Sequence, residues 1–348
     1  MGTEQGTLDL YDVPVGRSGV ETMMKLAAAH GGKEKEETLF VTSSRELVQR
    51  ARDRNLNAVN FEYLVNEILR RCAPAGVKRV QISRKTQELL LERLLDKTFQ
   101  VQLDPKTEAS RQQENLRELS KKKSFRKAMV ALVGQLGRAC VSPKEFQNIV
   151  KDWLQNNDVP DKQRLAYISE TVYTIYRVYS ERLAKPDSKG VKSYDLEALY
   201  TEALQCLEEK QNRGKLPWRR VYIAGFHSFD PLVRRIILAL AEHCCVSVAL
   251  PWEAVEEEYR RTVYNVSRDS HVDLFSAKRR EETVPAAAPE RRHPALAWLL
   301  EQFRRPVQKQ AQTEDHVQIW KAADAREELC LVLRDVKQSI LNGMAPDR

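Results

Sequence analysis

Residues Gly16-Arg17-Ser18-Gly19-Val20-Glu21-Thr22-Met23 lie between a β-prone segment and a helical one, where a glycine-containing turn can cradle phosphate. That chemistry requires a second glycine for close backbone approach, a lysine to neutralise charge and a hydroxyl to hold Mg²⁺, spaced as G-x-x-x-x-G-K-[ST]. Gly16 fits the first position. Glu21, Thr22 and Met23 fall on the other three, so a carboxylate stands where nucleotide charge would lie, and the lysine and metal-holding hydroxyl are missing. By themselves Gly16, Arg17, Ser18 and Gly19 read better as an ordinary turn that opens a helix. A second group, His227, Ser228 and Asp230, has the residue types of a hydrolase, but adjacency in sequence does not make side chains converge. Asp230 before Pro231 reads as a helix cap, so no catalytic residue is expected.

These residues need elements to hold them. Residues 8–15 are β-prone, 20–30 helical and 38–42 a short apolar strand entering a helix from Ser43 or Ser44, a βαβα opening that marks a parallel sheet. From about residue 60 the apolar period becomes helical. Asn60 is placed as an N-cap, with Phe61, Leu64, Val65, Ile68 and Leu69 on one face. Further helices are predicted over 84–96, 124–139, 143–155, 161–183 and 194–210. Tyr167, Tyr173, Tyr176 and Tyr179 recur at helical spacing, which suits packing better than base stacking. The sheet pattern returns at Arg219: 221–224 is a strand, 225–229 a turn, a helix follows Asp230, and 245–250 is a buried strand. Residues 253–290 read as a loop-rich connection, 293–304 as helix, 317–322 as strand and 326–341 as helix. The expected fold class is α/β, a parallel sheet interrupted by a large all-helical insertion. The expected domains are 1–58 with 215–300, 59–214, and 301–348.

The 348 residues carry 57 Lys and Arg against 49 Asp and Glu, a net charge of +8 that suits a polyanionic partner. Basic residues concentrate in three places: Arg45, Arg50, Arg52 and Arg54; the stretch 111–127, which includes Lys121, Lys122 and Lys123; and Arg213, Lys215, Arg219 and Arg220. Each alone also reads as a solvated surface. No apolar run approaches the roughly 20 residues that span a bilayer, so no membrane partner is expected. Residues 1–10 have no basic or apolar leader, which points to the cytoplasm. Cys72, Cys140, Cys206, Cys244, Cys245 and Cys330 have no C-x-x-C spacing, so reduced thiols and no metal site are expected.

Taken in order, the segments resemble the N-terminal, helicase-like region of the AddB/RexB family of bacterial helicase-nuclease subunits, itself similar to UvrD/Rep-type superfamily 1 helicases. The resemblance covers nearly all 348 residues. Besides the Gly16 turn, Thr38-Leu39-Phe40-Val41-Thr42-Ser43-Ser44-Arg45-Glu46-Leu47 is similar to the single-strand-binding motif Ia, and Asn60-Phe61-Glu62-Tyr63-Leu64 to a T-F-H-S-L segment. Val221-Tyr222-Ile223-Ala224-Gly225-Phe226-His227-Ser228-Phe229 stands where active helicases carry V-D-E-F-Q-D-T. Residues 317–342, with Ala323-Asp324-Ala325-Arg326-Glu327-Glu328, resemble the approach to a second helicase lobe, which the resemblance leads one to expect in truncated form.

The resemblance implies a P-loop-NTPase-like (RecA-like) sheet whose ATPase motifs have degenerated. Ala224 and Gly225 replace both carboxylates that would hold Mg²⁺ and position water, Phe226 follows them, and His227 takes the glutamine position. Residues 249–253 lack the G-D-x-x-Q that couples nucleotide to DNA in active relatives. No cofactor is therefore expected in this chain, neither ATP nor Mg²⁺. An iron-sulfur cluster and a nuclease domain are expected only in a longer parent protein. The resemblance implies further that Thr42, Ser43, Arg45 and Phe61 contact single-stranded or unwound DNA, with Lys121, Lys122 and Lys123 along its track. Its partner would be an AddA-like motor subunit, and its work inspection of the passing strand during double-strand break repair. Thr42 and Ser43 also suit a helix cap, Arg45 a surface and Phe61 a core position. A scaffold that docks the motor and a residual nucleotide-binding domain remain the alternatives.

Overall fold

The computed structural model describes residues 6–13, 18–30, 37–73, 78–98, 118, 121–186, 190–252, 267–274, 276, 280–283 and 324–343. The chain divides into two compact units, Met1–Pro285 and Ala286–Arg348. In the first unit the strands are β1 (Thr7–Val13), β2 (Thr38–Thr42), β3 (Ala58–Asn60), β4 (Lys78–Gln81), β5 (Val191–Tyr194), β6 (Arg220–Ala224), β7 (Cys245–Pro251) and β8 (Arg280–Thr283). Its helices are α1 (Gly19–His30), α2 (Arg45–Asp53), α3 (Phe61–Cys72), α4 (Arg84–Thr98), α5 (Lys123–Arg138), α6 (Pro143–Asn156), α7 (Lys162–Ala184), α8 (Leu196–Glu208) and α9 (Pro231–Leu240).

Six strands form one sheet in the order β3-β2-β6-β7-β1-β8, with every neighbouring pair parallel. Alternation along each strand decides which helices cover which face. Leu8, Leu10, Leu39, Val41, Val221, Ile223, Val246 and Val248 share one core with apolar residues of α3, α8 and α9. Tyr11, Val13, Phe40, Tyr222 and Ala224 share the other with Met23, Met24 and Ala27 of α1 and with Val48 and Ala51 of α2. The α/β class and parallel sheet agree with the expectation.

Within 59–214 the helices separate into two groups. α3 and α8 belong to the core of the sheet, whereas Leu91 of α4, Met129 and Val133 of α5, and Ile175, Tyr176, Tyr179 and Leu183 of α7 form a third core. Tyr176 and Tyr179 are therefore packing residues. This region is also not all-helical, because β4 and β5 pair in parallel as a separate two-stranded sheet. Arg79 on β4 and Lys192 on β5 both reach the Glu202 carboxylate of α8, at 3.0 and 2.8 Å. Two strands with so few apolar residues are legible only through that tertiary partner.

The connection read as loop over 253–290 contains a helical stretch at 267–274 and the edge strand β8. In the second unit α10 (Ala325–Leu341) begins at Asp324, whose carboxylate accepts from the Glu327 amide at 2.8 Å. The helix expected at 293–304 and the strand at 317–322 lie outside the described residues. Among the described residues no helix is long and apolar enough to cross a membrane.

Candidate nucleic-acid interface at the carboxyl edge of the sheet

Because the strands are parallel, their carboxyl ends share one edge, and α1, α2, α3 and α9 all start there. Each start is capped from its own sequence. Ser18 Oγ accepts from the Glu21 amide at 3.2 Å, Ser44 Oγ from Leu47 at 3.2 Å, Asn60 Oδ1 from Tyr63 at 2.8 Å and Asp230 Oδ1 from Val233 at 2.9 Å. The helix after β2 lies on one face of the sheet and the helix after β6 on the other, although β2 and β6 are neighbours. That divergence opens a crevice beyond Thr42 and Ala224, the usual place for a ligand in an open α/β sheet.

The phosphate turn is diverted to other work. Gly16 and Arg17 lie outside the described residues; Ser18 is the cap just described. Gly19 serves packing, since a Cβ there would come within 2.6 Å of Val13 Cγ2. The Glu21 carboxylate, expected to repel nucleotide, is instead held by two arginines of the α2 segment, Arg50 Nη2 and Arg54 Nη1, each at 2.5 Å. A contact across 29 to 33 positions cannot be read from a local motif. Thr22 hydrogen-bonds back to the Ser18 carbonyl through its hydroxyl at 3.2 Å, and Met23 is fully buried under the sheet.

At the degenerate acidic motif, Ala224 is fully buried and Gly225 has φ +85°, a left-handed conformation that favours glycine. A Cβ on Gly225 would lie 2.8 Å from Thr42 Oγ1 and 2.9 Å from Leu47 Cδ1. The position of a metal-holding acid is thus closed sterically as well as chemically. Phe226 joins an aromatic cluster, with ring centroids 6.2 Å from Phe61 and 5.1 Å from Phe229. His227 and Ser228 are exposed at the turn.

Two of the residues expected to face DNA do not. Thr42 is fully buried, its hydroxyl without a partner beneath Gly225, because the parallel register seats it against β6 at Ala224. Phe61 is 7% exposed and packs on Tyr200 at 5.8 Å, because it opens the apolar stripe of α3. The exposed residues are Ser43, Arg45 and, overlooked in the sequence, Tyr63, which is 56% exposed. Tyr63 lies off the Phe61-Leu64-Val65-Ile68-Leu69 stripe, and that offset was the available signal. Ser43 Oγ donates to the Gly225 carbonyl, bridging the crevice.

The basic clusters also thin out. Arg50 and Arg54 hold Glu21, and Arg52 Nε donates to the Ala58 carbonyl at 3.0 Å, which leaves Arg45 exposed and without a partner among the described residues. Arg219 pairs with Glu37 at 2.8 Å, and Lys215 with Asn212 Oδ1 at 2.6 Å. Lys121 pairs with Glu118 at 2.5 Å, whereas Lys122 and Lys123 are exposed at the start of α5, which has no acidic residue in its first turn and no side-chain cap. That end of α5 favours an anion. Residues 111–117 lie outside the described residues.

The other side of the edge is covered. His271, in the 267–274 stretch, meets Asp12 Oδ1 through Nε2 at 2.9 Å and stacks on Trp252 with ring centroids 4.1 Å apart. Ser270 bonds both the amide and the carbonyl of Phe229, at 2.7 and 3.0 Å. The ends of β1 and β7 are therefore closed by a polar, fully bonded cap, and exposed groups remain toward β2, β3 and β6.

A family model described as ADDB, N-terminal matches residues 36–294. The chain is also similar to an ATP-dependent helicase/deoxyribonuclease subunit of Bacillus licheniformis, at 20% identity over 236 residues covering 64% of this chain. To the protein of the same description from Bacillus pumilus it is 24% identical over 231 residues, 62% of this chain. In both cases the match spans 19% of the relative's own length.

Proposed function

From the premise that this chain belongs to the family of AddB N-terminal regions, we propose that it is a non-catalytic, helicase-like module that binds single-stranded or unwound DNA within a two-subunit helicase-nuclease of double-strand break repair. The observation that carries this reading is the asymmetry of the sheet's carboxyl edge. Groups that would handle nucleotide are diverted or excluded at Glu21, Met23 and Gly225, while Ser43, Arg45 and Tyr63 stay exposed beside the β2–β6 crevice. A guanidinium for phosphate contact and an aromatic ring for sequence-tolerant stacking stand on either side of the Ser43 hydroxyl, which ties the two strand ends together. Lys122 and Lys123 add exposed positive charge elsewhere, at the start of α5. The names of the relatives support a partner subunit, which would supply the motor in the cytoplasm.

The test is fluorescence anisotropy of a labelled single-stranded oligonucleotide across a salt series, with and without Mg-ATP. Binding should weaken linearly in log salt with a slope near −0.7 per phosphate contact and should be indifferent to ATP. Absence of binding at low salt refutes the reading. A response to ATP would restore the nucleotide-binding alternative. The scaffold alternative is favoured by one feature: Ile149 and Trp153, one turn apart on α6, are 57% and 49% exposed. Exposed aromatic residues of this kind anchor protein interfaces. Trp153→Ala that abolished assembly with the motor subunit while DNA binding was absent would select that alternative.

A further inference from the structure

Between the start of α4, the middle of α5 and the first turn of α8 lies a cleft of about 550 Å³ that the reading above does not use. Ile82, Val130 and Ala131 give it an apolar floor, and Gln81, Arg84, Gln87 and Arg138 stand around it. Arg138 is already engaged, its Nη1 at 2.6 Å from Glu197 Oε1. The side chains of Gln81, Arg84 and Gln87 have no hydrogen-bond or ion-pair partner among the described residues.

We infer that this cleft receives one nucleotide of the bound strand, with Arg84 on its phosphate and the amides of Gln81 and Gln87 on the edge of its base. The volume lies in the range of roughly 300–1,000 Å³ typical of small-ligand sites. A carboxamide presents a donor and an acceptor side by side, the complement of a base edge, and a guanidinium matches phosphate. Arg84 and Lys85 begin a 15-residue helix with no acid in its first turn, so the helix dipole adds to the attraction for a negative group. An acidic peptide would call for a row of unpaired cations, whereas the six polar side chains around the cleft are the paired Arg138 and Glu197, Ser83 bonded to Thr86, one unpaired guanidinium and two unpaired amides.

The cleft is connected to the core beside the proposed interface through α8. Glu197, at its rim, is one turn from Tyr200 on α8, and Tyr200 packs on Phe61 in the same helix turn that exposes Tyr63. Tyr200 thus links the helix that rims the cleft to the ring packed under the start of α3.

This inference rests on the DNA-binding reading, and its test separates the two. The full chain is titrated into a labelled oligothymidylate as wild type, Arg84→Ala, Gln81→Ala and Gln87→Ala, across a salt series. Arg84→Ala should weaken binding about five- to tenfold and reduce the salt slope by about 0.7, the loss of one contact. Gln81→Ala and Gln87→Ala should weaken binding without changing the slope, since neither removes charge. Gln81 and Arg84 are exposed, so these two variants fold even where half-buried Gln87 is needed for packing. Wild-type binding that both exposed-residue variants reproduce, in affinity and slope, overturns the cleft and leaves the DNA reading intact. A wild type that does not bind overturns both. Displacement of the strand from wild type, but not from Arg84→Ala, by poly-glutamate would assign the cleft to an acidic peptide and overturn the inference.

Discussion

The Ser43 hydroxyl donates to the backbone carbonyl of Gly225, 182 residues further along the chain, and so ties the exit of β2 to the exit of β6. Both residues follow the last paired positions of their strands, Thr42 and Ala224. The two strand ends are thus joined through the same turn whose conformation excludes a side chain.

Gly225→Ala tests that exclusion. The left-handed backbone alone costs a non-glycine residue about 1–2 kcal/mol, and the contact with Thr42 and Leu47 adds to it. Urea denaturation should show a loss of at least that size. Ser43→Ala, which removes one exposed hydrogen bond, should cost only about 0.5–1.5 kcal/mol. Equal effects would mean that the turn relaxes freely.

Neighbouring aromatic positions should separate stability from binding. Phe61→Ala empties a core site and should cost about 3–5 kcal/mol. Tyr63→Ala should leave stability within about 0.5 kcal/mol yet weaken single-stranded DNA binding by about 1–3 kcal/mol through lost stacking. Parallel thermal melts and anisotropy titrations decide it, and a Tyr63→Ala variant that binds like wild type removes Tyr63 from the interface.

Rebuilding the phosphate motif should not rebuild an ATPase. Glu21→Gly with Thr22→Lys and Met23→Ser supplies the missing residue types, but Met23 is fully buried and truncating a buried methionine costs about 2–5 kcal/mol. Glu21→Gly also strips Arg50 and Arg54 of their shared partner, a small loss given how exposed both arginines are. With no carboxylate possible at Gly225 without backbone rearrangement, a phosphate-release assay should find no hydrolysis. Turnover by the triple variant would contradict this.

Two glutamates of α8 should give stability opposite pH dependences. Burial holds the Glu197 carboxyl above its ordinary value, with Asp195 adding to the rise, so the folded state binds its proton more tightly than the unfolded state. Its contribution is full below the ordinary glutamate value and is lost as pH rises through the folded one. For Glu202 burial also pushes upward, but hydrogen bonds from Lys192, Tyr194 and Arg79 outweigh it and lower the pKa. That contribution is present above the ordinary value and lost as pH falls through the folded one. Denaturation midpoints across the carboxylate range should lose one slope in Glu197→Gln and the other in Glu202→Gln.

Much of this architecture is written locally. The alternation of Leu8 and Leu10 with Tyr11 and Val13 assigns both faces of β1, and the stripe from Phe61 to Leu69 orients α3. The site is less legible because residue type does not fix the face a residue occupies: a motif that fits Phe61 by position gives way to a stripe that needs it buried. What stayed hidden depends on distant partners. Glu21 acquires its role from Arg50 and Arg54, β4 and β5 exist by virtue of Glu202, and 267–274 folds because Asp12 and Phe229 receive it.

Helix α8 belongs to two cores at once. Leu199, Ala203, Leu204 and Leu207 anchor it beneath the sheet, while Asp195 accepts from the Tyr179 hydroxyl at 2.8 Å and Glu197 holds Arg138. In mechanical terms it is a rod 13 residues long, clamped along one side and gripped near one end by two polar links. A displacement of α5 or α7 would therefore bear on α8 at Asp195 and Glu197, one turn from Tyr200 and its contact with Phe61.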